Sequence, residues 1–295
     1  MSSLLDRLRS GAILVGDGAW GTQLMACGLE PGESPEALNL SDPQVLGEIA
    51  GLYLDAGAEL ITTNTFGASP LSLERYGLAE RTEEINRAAV AALKPVVEGR
   101  AYISGSVGPC GAMVKPYGDT EPEAMADAFH RQIGALIDAG ADLICVETMI
   151  DLTEARLAVE AARARSADIP IIATMTFDAT PRGYFTMMGS SVEQACAALV
   201  EAGANVVGSN CGNGVEKMVE IAREFARHAT VPIAIQSNAG LPEQSGGVLV
   251  WPETPDFMAE RVGELIDLGV KIIGGCCGTG PDHIRAIRSA VDALR

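Results

Sequence analysis

The sequence predicts an α/β protein built as a single (β/α)8 barrel of the TIM type, and three observations lead to that prediction. A degenerate phrase recurs four times along the chain, starting at Asp55, Asp138, Glu201 and Asp267. Each copy places a glycine ahead of a short run rich in Ile and Val, which is typical of a helix end followed by a buried parallel strand. With the other apolar runs, about eight strands are predicted, the number that a closed parallel barrel requires.

Predicted strands and helices alternate along the chain. Further short apolar runs occupy residues 12–15, 101–104, 170–176 and 231–236, and the repeated phrases supply the remaining strands. Helix starts are indicated by a capping residue or a proline at 41–43, 120–123 and 281–282, and by a capping-box pattern at 190–193. An open doubly wound sheet shows the same alternation, but the strand count favours the barrel.

The composition limits the classes of protein. A chain of 295 residues with 47% hydrophobic and 20% charged residues can fill one barrel core, and no linker divides it, so one domain is predicted over residues 1–295. The formal net charge of −18 argues against nucleic acid and membrane as partners, because it repels phosphates and anionic lipids. No apolar run approaches the roughly 20 residues of a spanning helix, and no signal-peptide pattern is present at the start. A cytoplasmic enzyme is therefore expected.

Position after each strand selects the candidate site residues, because active sites of such barrels lie at the C-terminal ends of the strands. Counting seven residues on from Gly57, Gly140, Gly203 and Gly269 reaches Asn64, Glu147, Asn210 and Cys276, and one further reaches Thr65, Thr148, Cys211 and Cys277. The sixth and eighth strands are thus predicted to bring Cys211, Cys276 and Cys277 to one rim. Asn64 and Thr65 are candidates for orienting a substrate, with ordinary loop hydrogen bonding as an equal alternative.

The cysteine pattern indicates a metal rather than a disulfide framework, since the number, seven, is odd and no secretory signal is present. Three thiolates at one rim suit tetrahedral zinc with a fourth position open to a ligand such as a thiol. Gly274, Gly275 and Gly278 are predicted to let the backbone bend so that Cys276 and Cys277 face one ion. Two alternatives stay open: cysteine as a compact apolar filler, and a vicinal disulfide.

The remaining cysteines and the histidines are predicted to lie outside the site. Packing roles are assigned to Cys27, Cys110, Cys145 and Cys196, while His130, His228 and His283 fall on or beside predicted helices. A rim poor in histidine argues against water-activating zinc hydrolysis, which usually uses imidazole ligands. Two long segments, 178–191 and 238–255, are predicted to be active-site loops.

Seven motifs, taken in order, resemble the homocysteine S-methyltransferase family. They are GDGAWGTQL at 16–24, TTNTF at 62–66, GSVGP at 105–109, ETM at 147–149, GSNCG at 208–212, SNAGLP at 237–242 and GGCCGT at 274–279. The similarity runs from about Asp17 to Ile287, and GGCCGT with its upstream NC is the most specific part. Within the family, the chain is most similar to the homocysteine-binding module of cobalamin-dependent methionine synthase.

The resemblance implies a zinc-dependent barrel in which homocysteine supplies a sulfur ligand. By this resemblance Cys211, Cys276 and Cys277 hold the metal, and Asn238 is a possible fourth ligand when substrate is absent.

It also implies how the amino acid part of homocysteine is bound. Asp17 and Glu147 match carboxylates that accept hydrogen bonds from the ammonium, and Gly18 and Ser106 match positions whose backbone approaches the carboxylate.

The implied reaction is methyl transfer to homocysteine, which gives methionine and needs no general acid or base. Methylcobalamin on a separate corrinoid protein is the expected donor, because betaine-using relatives continue beyond the last barrel helix whereas this chain stops there. Betaine, S-methylmethionine, or demethylation of a small substrate onto a corrinoid protein remain alternatives. Segment 178–191 departs from the family pattern, and its apolar residues are expected to cover the donor, meet the carrier or form a packed lid. A zinc or thiol redox protein and a noncatalytic metal-binding subunit are alternatives of other classes.

Overall fold

All eight predicted barrel strands are present in the computed structural model, which describes residues 3–245 and 248–294. In chain order they are Leu14–Val15, Leu60–Thr62, Tyr102–Val107, Leu143–Met149, Ile171–Met175, Val206–Asn210, Ile233–Ser237 and Val270–Gly275. Every pairing between neighbouring strands of this sheet is parallel.

The sheet follows chain order and closes on itself. The first strand pairs with the eighth, and the order then runs from seventh down to second. A bridge between Gly16 and Leu60 joins the first strand to the second, supported by a hydrogen bond of 2.7 Å from the Glu59 amide to the Val15 carbonyl. The sixth and eighth strands are therefore separated only by the seventh, which confirms the predicted arrangement of the cysteine-bearing strands.

Helices cover the outside of the barrel. The α-helices are Leu4–Arg9, Trp20–Ala26, Leu38–Ser41, Pro43–Asp55, Pro70–Leu73, Thr82–Val97, Pro122–Ala139, Leu152–Arg165, Val192–Ala202, Val215–His228, Pro255–Ala259, Val262–Asp267 and Pro281–Ala293. Short 3-10 helices occupy Pro35–Ala37, Glu74–Tyr76 and Ala79–Arg81. The alternation of strand and helix is that of the predicted (β/α)8 barrel.

The glycine of each repeated phrase follows a helix, as predicted. Gly57, Gly140, Gly203 and Gly269 all lie in the left-handed region, with φ between +85° and +112°. This conformation lets the chain leave the helix and enter the next strand, and glycine adopts it without steric cost. The common offset from these glycines to the strand ends therefore has a structural basis.

The predicted helix starts are correct in position but only partly in mechanism. Ser191 forms a full capping box with Gln194. At Pro43 and Pro122, however, the preceding residue makes no side-chain capping bond, so the expected polar caps there were wrong. Proline alone marks these two starts, because its missing amide hydrogen costs nothing in the first turn.

One apolar cluster fills the amino-terminal half of the barrel interior. Leu4 and Leu8 of the N-terminal helix pack against residues from all eight strands, including Leu14, Leu143 and Ile272. A second, larger cluster lies between the sheet and the helices. With the amino-terminal end packed, polar groups are left to the carboxyl end of the strands. None of the helices within the described residues is long and apolar enough to cross a membrane.

Two β-hairpins extend the loops at the carboxyl end of the barrel. Asp178–Thr180 pairs with Gly183–Phe185 after the fifth strand, and Glu243–Ser245 pairs with Val248–Val250 after the seventh. These hairpins lie within the two segments predicted to be active-site loops. Residues 246 and 247 of the second segment lie outside the described residues.

Candidate active site

The three predicted metal-binding cysteines converge at the carboxyl end of the barrel. The Sγ atoms of Cys211, Cys276 and Cys277 all lie within 4.8 Å of one another, and those of Cys211 and Cys277 are 3.7 Å apart. Such separations are compatible with three Zn–S bonds of about 2.3 Å to one ion. All three residues are partly buried free thiols.

The backbone turns each cysteine toward the others. Cys211 has φ +61°, in the left-handed region, so it leaves the sixth strand at an angle that a non-glycine residue rarely adopts. The amide of Cys211 donates to Gln236 and that of Cys276 to Ser237, so both residues are anchored to the intervening seventh strand. The local strain is typical of a functional site.

The glycines around the cysteine pair act differently from the prediction. Gly278 has φ +79°, but Gly274 and Gly275 do not have positive φ and belong to the eighth strand. Gly275 is required by space instead, since a β-carbon there would lie 2.1 Å from the Thr279 Oγ1. A β-carbon on Gly278 would lie 2.1 Å from the ring of Trp251. The turn that carries the cysteines is therefore fixed by close packing as well as by backbone freedom.

The thiols are electrostatically interdependent. Cys276 and Cys277 hydrogen bond to the sulfur of Cys211 and hold the pKa of that thiol far below its ordinary value. The same contacts, together with burial, raise the pKa of Cys276. One ionised sulfur is thus favoured over three, because neighbouring thiolates repel each other. A cation placed among the sulfurs would remove this repulsion.

Asn238 supplies an unsatisfied oxygen beside the sulfurs. Its side chain also lowers the pKa of Cys211 through a hydrogen bond, which places the amide next to that cysteine. The Asn238 Oδ1 is buried and has no hydrogen-bond partner among the described residues. A buried carbonyl oxygen without a partner is costly, so an amide that contacts Cys211 and carries such an oxygen is a candidate metal ligand.

Asp17 lies buried at the closure of the barrel, with 2% of its surface exposed. Its carboxylate accepts hydrogen bonds from the Trp20 indole, the Thr62 amide and the Thr62 hydroxyl, at 2.7–2.8 Å. Burial nevertheless raises the pKa of Asp17 to about 6, against the lowering effect of these hydrogen bonds. The group is held rigidly while its charge remains uncompensated.

Glu147 lies near the carboxyl end of the fourth strand and points to the same region. The Ser106 hydroxyl donates to its Oε1, and the Asn210 amide lies 3.4 Å from its Oε2. Burial, together with the nearby charges of Asp17 and Cys211, raises the pKa of Glu147 to about 7. The carboxyl and sulfur groups are therefore close enough to interact electrostatically.

The two carboxyl groups share one feature, the lack of a basic partner. Among the described residues, no lysine, arginine or histidine forms an ion pair with Asp17 or Glu147. Buried charges in proteins are normally paired, and an added cation would lower both raised pKa values. The arrangement can therefore bind an ammonium group between carboxylates.

The backbone amides of Gly18 and Ser106 differ in whether they already donate a hydrogen bond. The amides of Asp17 and Ala19 donate to Leu60 and Thr279, whereas the Gly18 amide has no partner within residues 3–245 and 248–294. The Ser106 amide donates to the Thr63 hydroxyl at 3.0 Å, so its own N–H is already used. Ser106 contributes its hydroxyl to Glu147 instead.

Asn64 and Thr65 are engaged by neighbouring loops. The Asn64 amide nitrogen donates to the Pro35 carbonyl and to Asn39, and the Thr65 hydroxyl donates to the Ser106 carbonyl at 2.7 Å. These bonds match the loop hydrogen-bonding alternative. The structure does not bring the Asn64 amide nitrogen to the cysteines.

Two residues at the site, Asn210 and Glu253, were given no role by the sequence analysis. Asn210 appeared only as a matched offset, yet its amide touches Glu147, Thr148 and Cys276. Glu253 accepts a hydrogen bond of 2.8 Å from the Val215 amide and so fixes the helix that follows the Cys211 loop. The repeated offset could have drawn attention to Asn210, whereas nothing in the sequence indicates the partner of Glu253.

The packing role predicted for the other cysteines holds for Cys110, Cys145 and Cys196, which are buried. It is wrong for Cys27, which is exposed because it follows the helix Trp20–Ala26 at the protein surface. Both ring nitrogens of His283 are used by backbone groups, at Gly280 and Glu253, so this imidazole is not free to bind a metal.

The carboxyl end of this parallel barrel thus brings together three thiols that could hold a metal ion and two carboxyl groups that lack a basic partner among the described residues. Comparison with known proteins gives the family. Residues 14–291 match the homocysteine S-methyltransferase family, and the chain belongs to that family.

Curated relatives and solved structures agree with this assignment. The chain is 35% identical over 311 residues to methionine synthase of Mycobacterium tuberculosis and 34% identical over 309 residues to that of Mycobacterium leprae. These alignments cover 100% and 98% of this chain but only 26% and 25% of the relatives, so the chain spans about a quarter of their length.

The fold is shared with a solved homocysteine methyltransferase. The structure of MmuM from Escherichia coli in its metallated form superimposes with a TM-score of 0.81 at 22% identity, covering 97% of this chain and 99% of that one. Its oxidised form gives a TM-score of 0.80 at 23% identity, covering 97% and 98%. At this identity the comparison establishes the barrel fold.

Proposed function

We propose that this chain transfers a methyl group to the sulfur of homocysteine and forms methionine, with zinc held by Cys211, Cys276 and Cys277. One observation carries the proposal: three thiols within 4.8 Å of one another share the carboxyl end of the barrel with Asp17 and Glu147, which have no basic partner among the described residues. Homocysteine bears the two groups that this arrangement lacks, an ammonium and a further sulfur.

The residues present fit a zinc ion. Three sulfurs and a buried, unpartnered amide oxygen on Asn238 provide four donors of the kinds that zinc accepts. Zinc, when bound, supplies the positive charge that keeps a substrate thiol ionised near neutral pH. Asn238 is the donor that can yield its place to the substrate, because its neutral oxygen binds more weakly than a thiolate sulfur.

The carboxyl groups orient the other end of the substrate. An ammonium between Asp17 and Glu147 would form charge-assisted hydrogen bonds and relieve the repulsion that raises the pKa of Glu147. Trp20 and Thr62 hold Asp17 in place, and Ser106 holds Glu147. The Gly18 amide, which has no acceptor among the described residues, is the group available to the substrate carboxylate.

Transfer then needs orientation more than proton chemistry. The substrate sulfur attacks the methyl carbon in line with the bond to the donor; a sulfur–carbon bond forms, and the donor leaves with the electron pair of the broken bond. The thiol proton is released before attack, so no general acid or base acts at the methyl carbon. Fixing both ends of homocysteine converts a bimolecular encounter into a near-attack geometry.

Methylcobalamin on a corrinoid carrier is the proposed donor. The 35% identity to M. tuberculosis methionine synthase supports this choice, and about three quarters of that protein lie outside the match. The hairpin Asp178–Thr180 with Gly183–Phe185 and the exposed Met187 stand at the same end of the barrel, where a donor must enter. We further propose that residues 1–295 form one homocysteine-binding methyltransferase domain, acting in the cytoplasm, where its thiols stay reduced.

A donor comparison tests the proposed function. Zinc-loaded protein is incubated with L-homocysteine and, separately, with methylcobalamin, betaine or S-methylmethionine, and methionine is measured by mass spectrometry. Methionine should form fastest with methylcobalamin, and a Cys196→Ala variant, altered in a buried thiol outside the site, should match the wild type. Protein that binds zinc and homocysteine yet forms no methionine with any donor would contradict the proposal.

A further inference from the structure

Asn210 links the two halves of the candidate site. It ends the sixth strand and is fully buried. Its Nδ2 lies 3.4 Å from the Glu147 Oε2 and 3.9 Å from the Cys276 Sγ. One amide group thus touches both the carboxyl assigned to the substrate ammonium and a sulfur assigned to the metal.

The same amide controls the backbone next to Glu147. Thr148 has φ +59°, a left-handed conformation that β-branched residues rarely adopt. The Asn210 Oδ1 accepts from the Thr148 amide at 2.7 Å, and the Asn210 Nδ2 donates to the Thr148 hydroxyl at 2.7 Å. Because Asn210 binds both the amide and the hydroxyl of Thr148, the backbone conformation next to Glu147 depends on this side chain.

The amide cannot easily rotate away from these contacts. The Thr174 hydroxyl donates to its Oδ1 at 2.8 Å, in addition to the Thr148 amide. With two donors on the oxygen and several acceptors near the nitrogen, a flipped amide would face mismatched partners. The orientation of Asn210 is therefore over-determined.

We propose that Asn210 is a positioning residue that sets the separation between Glu147 and the sulfur cluster and thereby selects homocysteine over cysteine. This inference rests on the proposed function. Because the Glu147 Oε2 and the Cys276 Sγ both contact the Asn210 amide, and Asn210 also holds Thr148 beside Glu147, the position of Asn210 sets the distance between the carboxylate and the sulfur. The site is consequently complementary to one distance between the ammonium and the thiol of its substrate.

Length then decides which thiol amino acid fits. Cysteine is shorter than homocysteine by one carbon–carbon bond, about 1.5 Å, so it cannot satisfy both ends of a site built for the longer chain. A single methylene is typically worth about 10- to 200-fold in discrimination. If Asn210 is removed, Glu147 and Thr148 can relax toward the metal, and this preference should fall.

The experiment compares two asparagines at opposite ends of the sixth strand. Zinc content and the dissociation constants of L-homocysteine and L-cysteine are measured by calorimetry for the zinc-loaded wild type, Asn210→Ala and Asn205→Ala. Asn205 precedes the same strand, and its Oδ1 also accepts two hydrogen bonds, from Arg163 and Ile171. It therefore controls for the loss of a hydrogen-bonded asparagine at the opposite end of the strand.

The expected result is a change in preference without loss of metal. The wild type and Asn205→Ala should prefer homocysteine by at least about tenfold, whereas Asn210→Ala should retain zinc and prefer homocysteine by less than about threefold. A zinc-loaded Asn210→Ala that keeps the wild-type preference would overturn the inference. Equal affinity of the wild type for the two thiols would overturn it as well.

A second variant keeps the test decisive if Asn210→Ala does not fold. Thr148→Gly leaves Asn210 intact but frees the strained position beside Glu147, and it should lower the homocysteine preference in the same direction; an unchanged preference contradicts the inference. The failure of the proposed function looks different, because wild-type protein loaded with zinc would then bind neither thiol.

Discussion

The site has a sulfur end and a carboxylate end, and the pKa values of Cys211 at one end and of the two carboxyl groups at the other are shifted in opposite directions. At the sulfur end, three thiols lie close together, and the pKa of Cys211 is depressed because its neighbours donate to it. At the carboxylate end of the site, Asp17 and Glu147 accept hydrogen bonds from neutral donors, and burial raises their pKa values to about 6 and about 7. Each end therefore holds negative charge that only an added cation can balance.

The difference indicates which cation each end accepts. Sulfur is a soft ligand and the three atoms are spaced for one ion, so the first end suits zinc. The two carboxylates interact over a distance and accept hydrogen bonds from neutral donors, so the second end suits a larger organic cation such as an ammonium. Independent disruption of each end is the way to test this division.

The largest effect is expected at the sulfur end. Cys276→Ala should lower zinc affinity by at least about 100-fold, because it removes one of three thiolate ligands. Metal content after dialysis against a zinc chelator measures this. Cys196→Ala, in the helix Val192–Ala202, should retain zinc, and a zinc-free Cys196→Ala would show that the metal site lies elsewhere.

A smaller effect is expected at the carboxylate end of the site, where Asp17 and Glu147 lie. Glu147→Gln should bind zinc normally but bind homocysteine about 30- to 1,000-fold more weakly, as expected for loss of one partner of a buried charge pair. Calorimetry with the zinc-loaded protein measures the affinity. Glu154→Gln is a matched control, since Glu154 is a buried carboxylate that accepts from the Cys110 amide. If both variants bound homocysteine equally well, the ammonium would not sit at Glu147.

The carboxylate end of the site should also make the stability of the protein depend on pH. The pKa of Glu147 is raised in the folded protein to about 7 from 4.5, so the native state binds more protons than the unfolded state between these values. Stability of the metal-free protein should therefore fall as pH rises through this window, by on the order of 2 kcal/mol from this group.

Thermal or urea unfolding of the metal-free wild type and Glu147→Gln measures that contribution. The variant should gain stability relative to the wild type between pH 5 and pH 8. A stability difference that is the same at both pH values would mean that Glu147 does not titrate in this range.

The smallest effect on zinc affinity is expected from Asn238, whose amide oxygen is the proposed fourth ligand beside the three sulfurs. Asn238→Ala should weaken zinc binding by about tenfold without homocysteine and much less with it, because the substrate sulfur replaces the amide as fourth ligand. Competition with a fluorescent zinc indicator measures both values. An equal loss with and without homocysteine would remove Asn238 from the exchange.

The barrel and the meeting of the cysteines could be predicted because both depend on backbone periodicity. Gly203 and Gly269 end their helices in the left-handed conformation, so equal offsets from them reach equal heights on the strands. Cys211 and Cys277, which share an offset, then meet, because the carboxyl ends of parallel strands share one end of the barrel.

Side-chain direction could not be predicted in the same way. Asn64 and Glu147 share an offset, yet the amide of Asn64 donates to Pro35 and Asn39 in an earlier loop, whereas Glu147 meets Ser106. Offsets place Cα atoms, and the partner that captures a side chain comes from distant sequence. The left-handed conformations of Thr148 and Cys211 were invisible for the same reason, since neither residue type signals them.

The most direct test of the account is X-ray absorption spectroscopy at the zinc edge, with proton release recorded on addition of L-homocysteine. Zinc should be surrounded by three sulfur atoms and one lighter atom in the free protein. Homocysteine should convert this to four sulfur atoms and release about one proton at neutral pH. An unchanged zinc environment in protein that binds homocysteine would contradict the central claim that the sulfur cluster accepts the substrate thiol.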